Sequence, residues 1–243
     1  MGNGLTRGEG TSAEKAKVVV SKNGPYIISG GLPLEKETIV PDRDGIPVSW
    51  EKGFSFPSDQ TYSICRCGAS KNMPYCDGRH KNIAFDGTET AERKPYLEMS
   101  DKYPGPGLLL TDAEKLCAIA LFCHRDGDAW NLTERSNDKK ARETAIQEAC
   151  DCPSGRLVAW NKKTGQAYEP DFNPSLSLVE DPVLHVSGPL WVKGNVIIES
   201  HDGTPYEKRN RITLCRCGKS GNKPFCTGEH IACRFSDGIG SDT

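Results

Sequence analysis

Apolar residues in this chain fall in short runs closed by Gly, Pro or Asp-Gly rather than in long helical stripes. Such runs are Lys17-Val18-Val19-Val20 and residues 25–29, 37–40 and 61–64, and again residues 190–192, 196–199 and 211–214. Bounded by turn formers, they predict short strands of small antiparallel sheets. A further strand is predicted after each of two histidines, at residues 83–85 and 231–235. The middle of the chain has another pattern. Thr111-Asp112-Ala113-Glu114 has capping-box spacing, so a helix is expected from Cys117 to about Cys123. Residues 138–150 are rich in Ala, Glu, Lys, Arg and Gln around Ile146, which predicts a second helix. Residues 1–16 have no periodicity and are expected to form a disordered lead.

The outer runs repeat one another. Gly24-Pro25 and Asp44-Gly45 pair with Gly188-Pro189 and Asp202-Gly203, the first copy carrying the longer insertions. Residues 103–107 and 169–174 contain Gly and Pro and read as joints. The expected class is therefore α+β, with two small β-rich units at 17–100 and 171–243 separated by a mainly helical insert at 101–170. A hydrophobic content of 36% with 25 Gly and 16 Pro predicts loop-rich units with small cores, to which a bound metal would add folding free energy. A net charge of -2 and the lack of a basic block argue against nucleic acid as a partner. Eleven cysteines without a signal peptide or a spanning apolar run predict reduced thiols, a cytoplasmic location and no membrane.

The cysteines give the chemistry. Cys65, Cys67, Cys76 and His80 repeat as Cys215, Cys217, Cys226 and His230 at the same C-x-C-x8-C-x3-H spacing. Three thiolates and an imidazole suit zinc or an iron-sulfur centre. Structural zinc sites favour C-x2-C knuckles, whereas residues i and i+2 of an extended chain point the same way. Cys65 and Cys67 could then face one iron while Cys76 and His80 hold another. In the insert, Cys117, Cys123 and Cys152-Pro153 have ferredoxin-like spacing. Three ligands would hold a 3Fe-4S cluster, and a fourth from Cys150 or His124 would complete a 4Fe-4S cluster. Cys233 aligns with Ile83 and is expected in a core strand. Arg66, Arg216, Lys71 and Lys223 lie next to the ligands, either to temper charge and steer a partner or as solvated surface.

Cys65, Cys67, Ser70, Pro74, Cys76, Asp77, Gly78 and His80 resemble the signature of the CDGSH iron-sulfur proteins, the mitoNEET-like family. Arg79 departs from that signature in the first copy, as do Thr227 and Glu229 in the second. The resemblance implies a 2Fe-2S cluster on each three-cysteine, one-histidine set. It also implies pseudo-two-fold pairing of the copies within a monomer. The insert resembles the divergent mono-cluster 4Fe-4S domain found beside CDGSH units. Together these imply an electron-transfer protein whose partner is a redox protein. The second reading is cluster transfer to an apo acceptor, or redox or iron sensing, through the titrating histidines. The third is a zinc-stabilised interaction module. With no dinucleotide fingerprint, nucleophile elbow or phosphate loop, an electron carrier fits better than an autonomous enzyme.

Overall fold

A computed structural model of the chain describes residues 16–239, so the expected lead lies almost wholly outside the described residues. The first repeat contains β1 (Lys17–Val20), β2 (Tyr26–Ser29), β3 (Leu34–Pro41), β4 (Pro47–Phe56) and β5 (Thr61–Ile64). The first unit ends with α1 (Tyr96–Met99), and the insert follows with β6 (Asp101–Pro104), β7 (Leu108–Asp112), α2 (Ala129–Glu134), α3 (Lys139–Asp151), β8 (Leu157–Asn161) and β9 (Ala167–Tyr168). The second repeat contains β10 (Ser175–Asp181), β11 (Val186–Lys193), β12 (Ile197–Glu199), β13 (Arg211–Leu214) and α4 (Glu229–Ala232).

The repeats exchange strands. β1, β2 and β5 form an antiparallel trio, and β12 of the other repeat adds to β1 in parallel. β10, β11 and β13 form the equivalent trio, and β3 adds in parallel to β10, with Leu34 opposite Leu176. Each sheet is completed by its neighbour, which is the expected pseudo-two-fold pairing. β4 extends the second sheet beyond β3. A shared core follows, in which Val18, Tyr26, Ile28 and Ile64 pack with Leu178, Leu190, Val192 and Leu214. The alternation of buried and less buried residues in β1 is what placed these side chains inward.

The insert is not mainly helical. Its frame is the antiparallel sheet β6-β7-β8-β9, against which α2 and α3 pack through Leu108, Leu132, Ala141 and Ala145. Asp138 caps α3 by accepting the amide of Ala141 at 2.8 Å, so the second predicted helix is present. The helix expected at 117–123 is absent. Thr111 is drawn into β7, where its hydroxyl meets Tyr96 Oη and Trp160 Nε1, each at 2.8 Å, and caps nothing. Ile119 and Leu121 take positive φ of 56° and 59°, which breaks any helix. The predicted joint at 103–107 is instead the β6–β7 hairpin turn, closed by Gly105 N donating to Leu108 O at 2.8 Å.

The strands predicted after the histidines are also absent. Arg79–Lys81 forms a short 3-10 turn, and α4 occupies the equivalent place. The chain then doubles back, with Phe85 N donating to His80 O and Phe235 N to His230 O. Phe85 and Phe235 end up beneath the guanidiniums of Arg66 and Arg216. The turn leaves Ile83 and Cys233 exposed, so Cys233 is not a core residue.

Candidate metal centres

Each repeated motif is built by residues outside the candidate ligand set. Ser70 Oγ donates to Tyr75 O at 2.7 Å and accepts from Asn72 N at 3.0 Å, and Ser220 does the same with Phe225 and Asn222 at 2.6 and 3.0 Å. Cys65 N and Cys215 N donate to the carbonyls of Pro74 and Pro224, both of which follow cis peptide bonds. Gly78 and Gly228 share φ of 83°, a left-handed turn that glycine adopts without strain. Their amides donate to Cys76 Sγ and Cys226 Sγ, each at 3.4 Å.

The loops so formed place the ligand atoms in pairs. Cys65 and Cys67 sulfurs are 3.7 Å apart, and Cys76 Sγ is 3.5 Å from His80 Nδ1. The second site repeats both distances, 3.7 Å for Cys215–Cys217 and 3.5 Å for Cys226–His230. Two sulfurs at about 2.3 Å from one tetrahedral metal stand ~3.7 Å apart, and a sulfur and a ring nitrogen on one metal stand ~3.5 Å apart. Each site thus holds two ligand pairs with metal geometry. Among the described residues, no group of three or more His, Cys, Asp or Glu gathers on a single ion position. Pairs at these separations suit metal-bound thiolate and imidazole.

Electrostatics agree with a cationic occupant. The Cys217 neighbour and the backbone amides of Ser220 and Gly218 hold the Cys215 thiol low, whereas Cys215 and burial push Cys217 up. Two buried thiolates so close repel unless a metal lies between them. Burial, and then the charge of Arg216, push His230 down to about 4, which keeps the imidazole neutral and able to ligate near pH 7.

The sites differ in cover. Cys215, Cys217, Cys226 and His230 are all buried, whereas in the first site only Cys65 is, with Cys67, Cys76 and His80 half-exposed. Asp77 accepts the amides of Lys71 and Arg79, which hold its carboxyl low, while its counterpart Thr227 donates its hydroxyl to Ser220 Oγ at 3.3 Å.

Arg66 and Arg216 are not surface residues. Arg66 is 1% exposed and donates to the carbonyls of Ser21, Gly24 and Gly87. Arg216, 3% exposed, donates to Gly188 O and pairs with Glu180 and Asp237. Both pin the C-x-C loop to the preceding hairpin, which rules out steering a partner. Lys71 is exposed, and Lys223 Nζ donates to Ser220 O at 2.9 Å.

In the insert, Cys117, Cys123 and Cys152 line one small cavity with Arg156. Burial, and then the Cys152 and Cys117 sulfurs, push the Cys123 thiol up to about 12. Arg156 forms a fork with Asp112 at 2.5 and 2.7 Å, and Asp112 and Cys117 keep its guanidinium charged beside the sulfurs. A cluster with one sulfur ligand per iron suits this set. Neither proposed fourth ligand lines the cavity: Cys150 Sγ points to Tyr168 O at 3.5 Å, and His124 is exposed beside Trp130. The backbone turned Cys150 aside, since α3 ends at Asp151 and only Cys152 leaves the helix toward the cavity.

Arg211 was missed in the sequence. Its fully buried guanidinium donates to the carbonyls of Ala149, Cys150 and Cys152 and to both oxygens of Glu169. One side chain thus satisfies the C-terminal carbonyls of α3 and anchors the Cys152 turn to β13. A positive charge in a strand gives no local sign of such a role. A cavity of about 440 Å³, lined by Leu97, Lys102, Leu109, Trp160 and Lys162 among others, has no cysteine on its wall.

Residues 23–81 and 187–231 match the family described as iron-binding zinc finger CDGSH type. Residues 103–162 match the family described as divergent 4Fe-4S mono-cluster. No curated protein and no solved structure matches the chain at a significant level. No helix among the described residues is long and apolar enough to cross a membrane.

Proposed function

We propose that this chain, an iron-sulfur protein with two CDGSH-type segments around a divergent 4Fe-4S segment, carries single electrons between partner proteins. Two 2Fe-2S centres and one 3Fe-4S or 4Fe-4S centre would serve that role, each supplying one-electron chemistry when bound. The observation that carries this reading is the repeated pairing of ligands at 3.7 and 3.5 Å. The protein's own part is to hold those pairs, exclude water from the second set and keep His230 neutral. Buried arginines brace each loop, so a change of charge need not move the ligands. In the insert, three sulfurs support the smaller cluster, and a fourth iron there would take a ligand other than Cys150 or His124.

Anaerobic purification followed by iron and sulfide analysis and EPR tests the reading. About seven or eight irons per chain, with separate reduced signals, are expected. Colourless protein holding zinc without acid-labile sulfide would overturn it. Cluster transfer is a second reading, favoured by the half-exposed His80 of the first site. It predicts that the first cluster appears in an apo acceptor while the second stays behind.

A further inference from the structure

We infer that the second CDGSH-type site is an internal relay, joined on one side to the insert centre and on the other to the first CDGSH-type site, and that only those two outer sites meet partner proteins. This rests on the electron-transfer reading above. The same backbone position shows the difference in cover. A Cβ on Gly78 would meet nothing within 4 Å, whereas one on Gly228 would lie 2.2 Å from Ile119 Cδ1 of the insert. Ile119 belongs to the loop between Cys117 and Cys123, so the insert's ligand loop lies directly on the turn leading to His230. Ala118, Ile119 and Pro153 line a shared cavity with His230.

A second tie reinforces this contact. Arg211 Nη1 donates to Cys152 O at 2.7 Å, and β13, which begins at Arg211, runs straight into Cys215. The other side of the second site meets the first. A Cβ on Gly68 would lie 2.6 Å from Cys217 O, and one on Gly218 would lie 2.7 Å from Cys67 O. The two C-x-C loops therefore touch, backbone to backbone, across the pseudo-two-fold.

The outer sites differ in the surface they offer. The insert loop presents the exposed side chains Ile119 and Leu121, an apolar rim, while the first site is flanked by exposed Lys71 and Asp77. A one-electron donor protein would deliver one electron at one end, and a one-electron acceptor protein would remove one electron at the other. No bond forms or breaks and no proton moves.

Relaxation of the EPR signals by a soluble dysprosium chelate tests the arrangement in the fully loaded chain. His80→Cys and His230→Cys assign the two 2Fe-2S signals, because each shifts only its own. The chelate is expected to speed relaxation of the first-site and insert signals several-fold and to leave the second-site signal unchanged. Ile119→Gly, which suits the positive φ there, should uncover the second site and raise its relaxation toward that of the first. On rapid mixing with a bulky anionic reductant, the second site should be reduced several-fold more slowly once Cys76→Ala and Cys123→Ala remove both ends. A second-site signal relaxed as strongly as the first, or unchanged by Ile119→Gly, or a reduction rate unaffected by losing both ends, would overturn the relay. Absence of iron and sulfide would instead overturn the electron-transfer reading itself.

Discussion

A histidine in place of a fourth cysteine removes one negative charge from a cluster's ligands, and that sets the first expectation at the residue scale. His80→Cys should lower the potential of the first site by on the order of 100 mV, read by EPR-monitored titration, with the second site unchanged. Glu180 gives a second. Burial, and then the nearby Asp237 charge, raise its carboxyl to about 7, with Arg216 opposing. Its ionised form is therefore less favoured in the folded chain than in the unfolded one. The sign follows: this residue costs nothing below its unfolded value near 4.5, and stability falls as pH rises through the window from 4.5 to 7. Glu180→Gln should flatten that fall, by about 2–3 kcal/mol at neutral pH, in melting curves compared with the parent at pH 5 and pH 7.5. An identical pH slope in both proteins would refute the assignment.

At the scale of elements, single buried side chains join segments that the sequence keeps far apart. Arg211→Met would strip the end of α3 and leave buried carbonyls unpaired, so a loss of about 3 kcal/mol or more is expected. Iron analysis should show the insert centre lost first, while the first-site EPR signal remains. Lys193 and Glu37, each 4% exposed, join β11 to β3 in the same way. Lys193→Met alone should cost about 3–5 kcal/mol, because Glu37 is left buried without its partner. Adding Glu37→Leu should recover most of that loss in thermal melts. The short strands at 17–20, 61–64 and 211–214 were legible because turn residues bracket them. The helix expected at 117–123 does not form, since the pairing of β7 with β8 draws Thr111 out of its local capping pattern and Ile119 and Leu121 take positive φ.

At the scale of the molecule, strand exchange makes the two repeats one folding unit. Tyr26 Oη reaches across to the carbonyls of Cys215 and Pro224, where the second repeat has only Leu190 in the equivalent place. Trp50 of β4 stacks on Phe122 of the insert and packs at a tilt against Trp191 of β11, which draws all three segments together. Gly218→Ala would force a Cβ against Cys67 O at a φ of 78°, a conformation that alanine disfavours. A single melting transition lowered by several degrees is expected, with spectral change at both three-cysteine, one-histidine sites rather than at the mutated one alone. Change confined to the second site would show that the loops are independent.

The sequence by itself determined the repeated three-cysteine, one-histidine motif, the α+β class and the internal duplication, because motif spacing and turn chemistry act over a few residues. It also supplied the three insert cysteines now found on one cavity. Tertiary structure alone decided which strands exchange, that Arg66 and Arg216 are buried braces, that Cys150 points away and that Cys233 is exposed. It decided, too, that identical motifs have unequal surroundings. Burial depends on which distant segment arrives, and here Ile119 covers Gly228 while nothing within 4 Å covers Gly78.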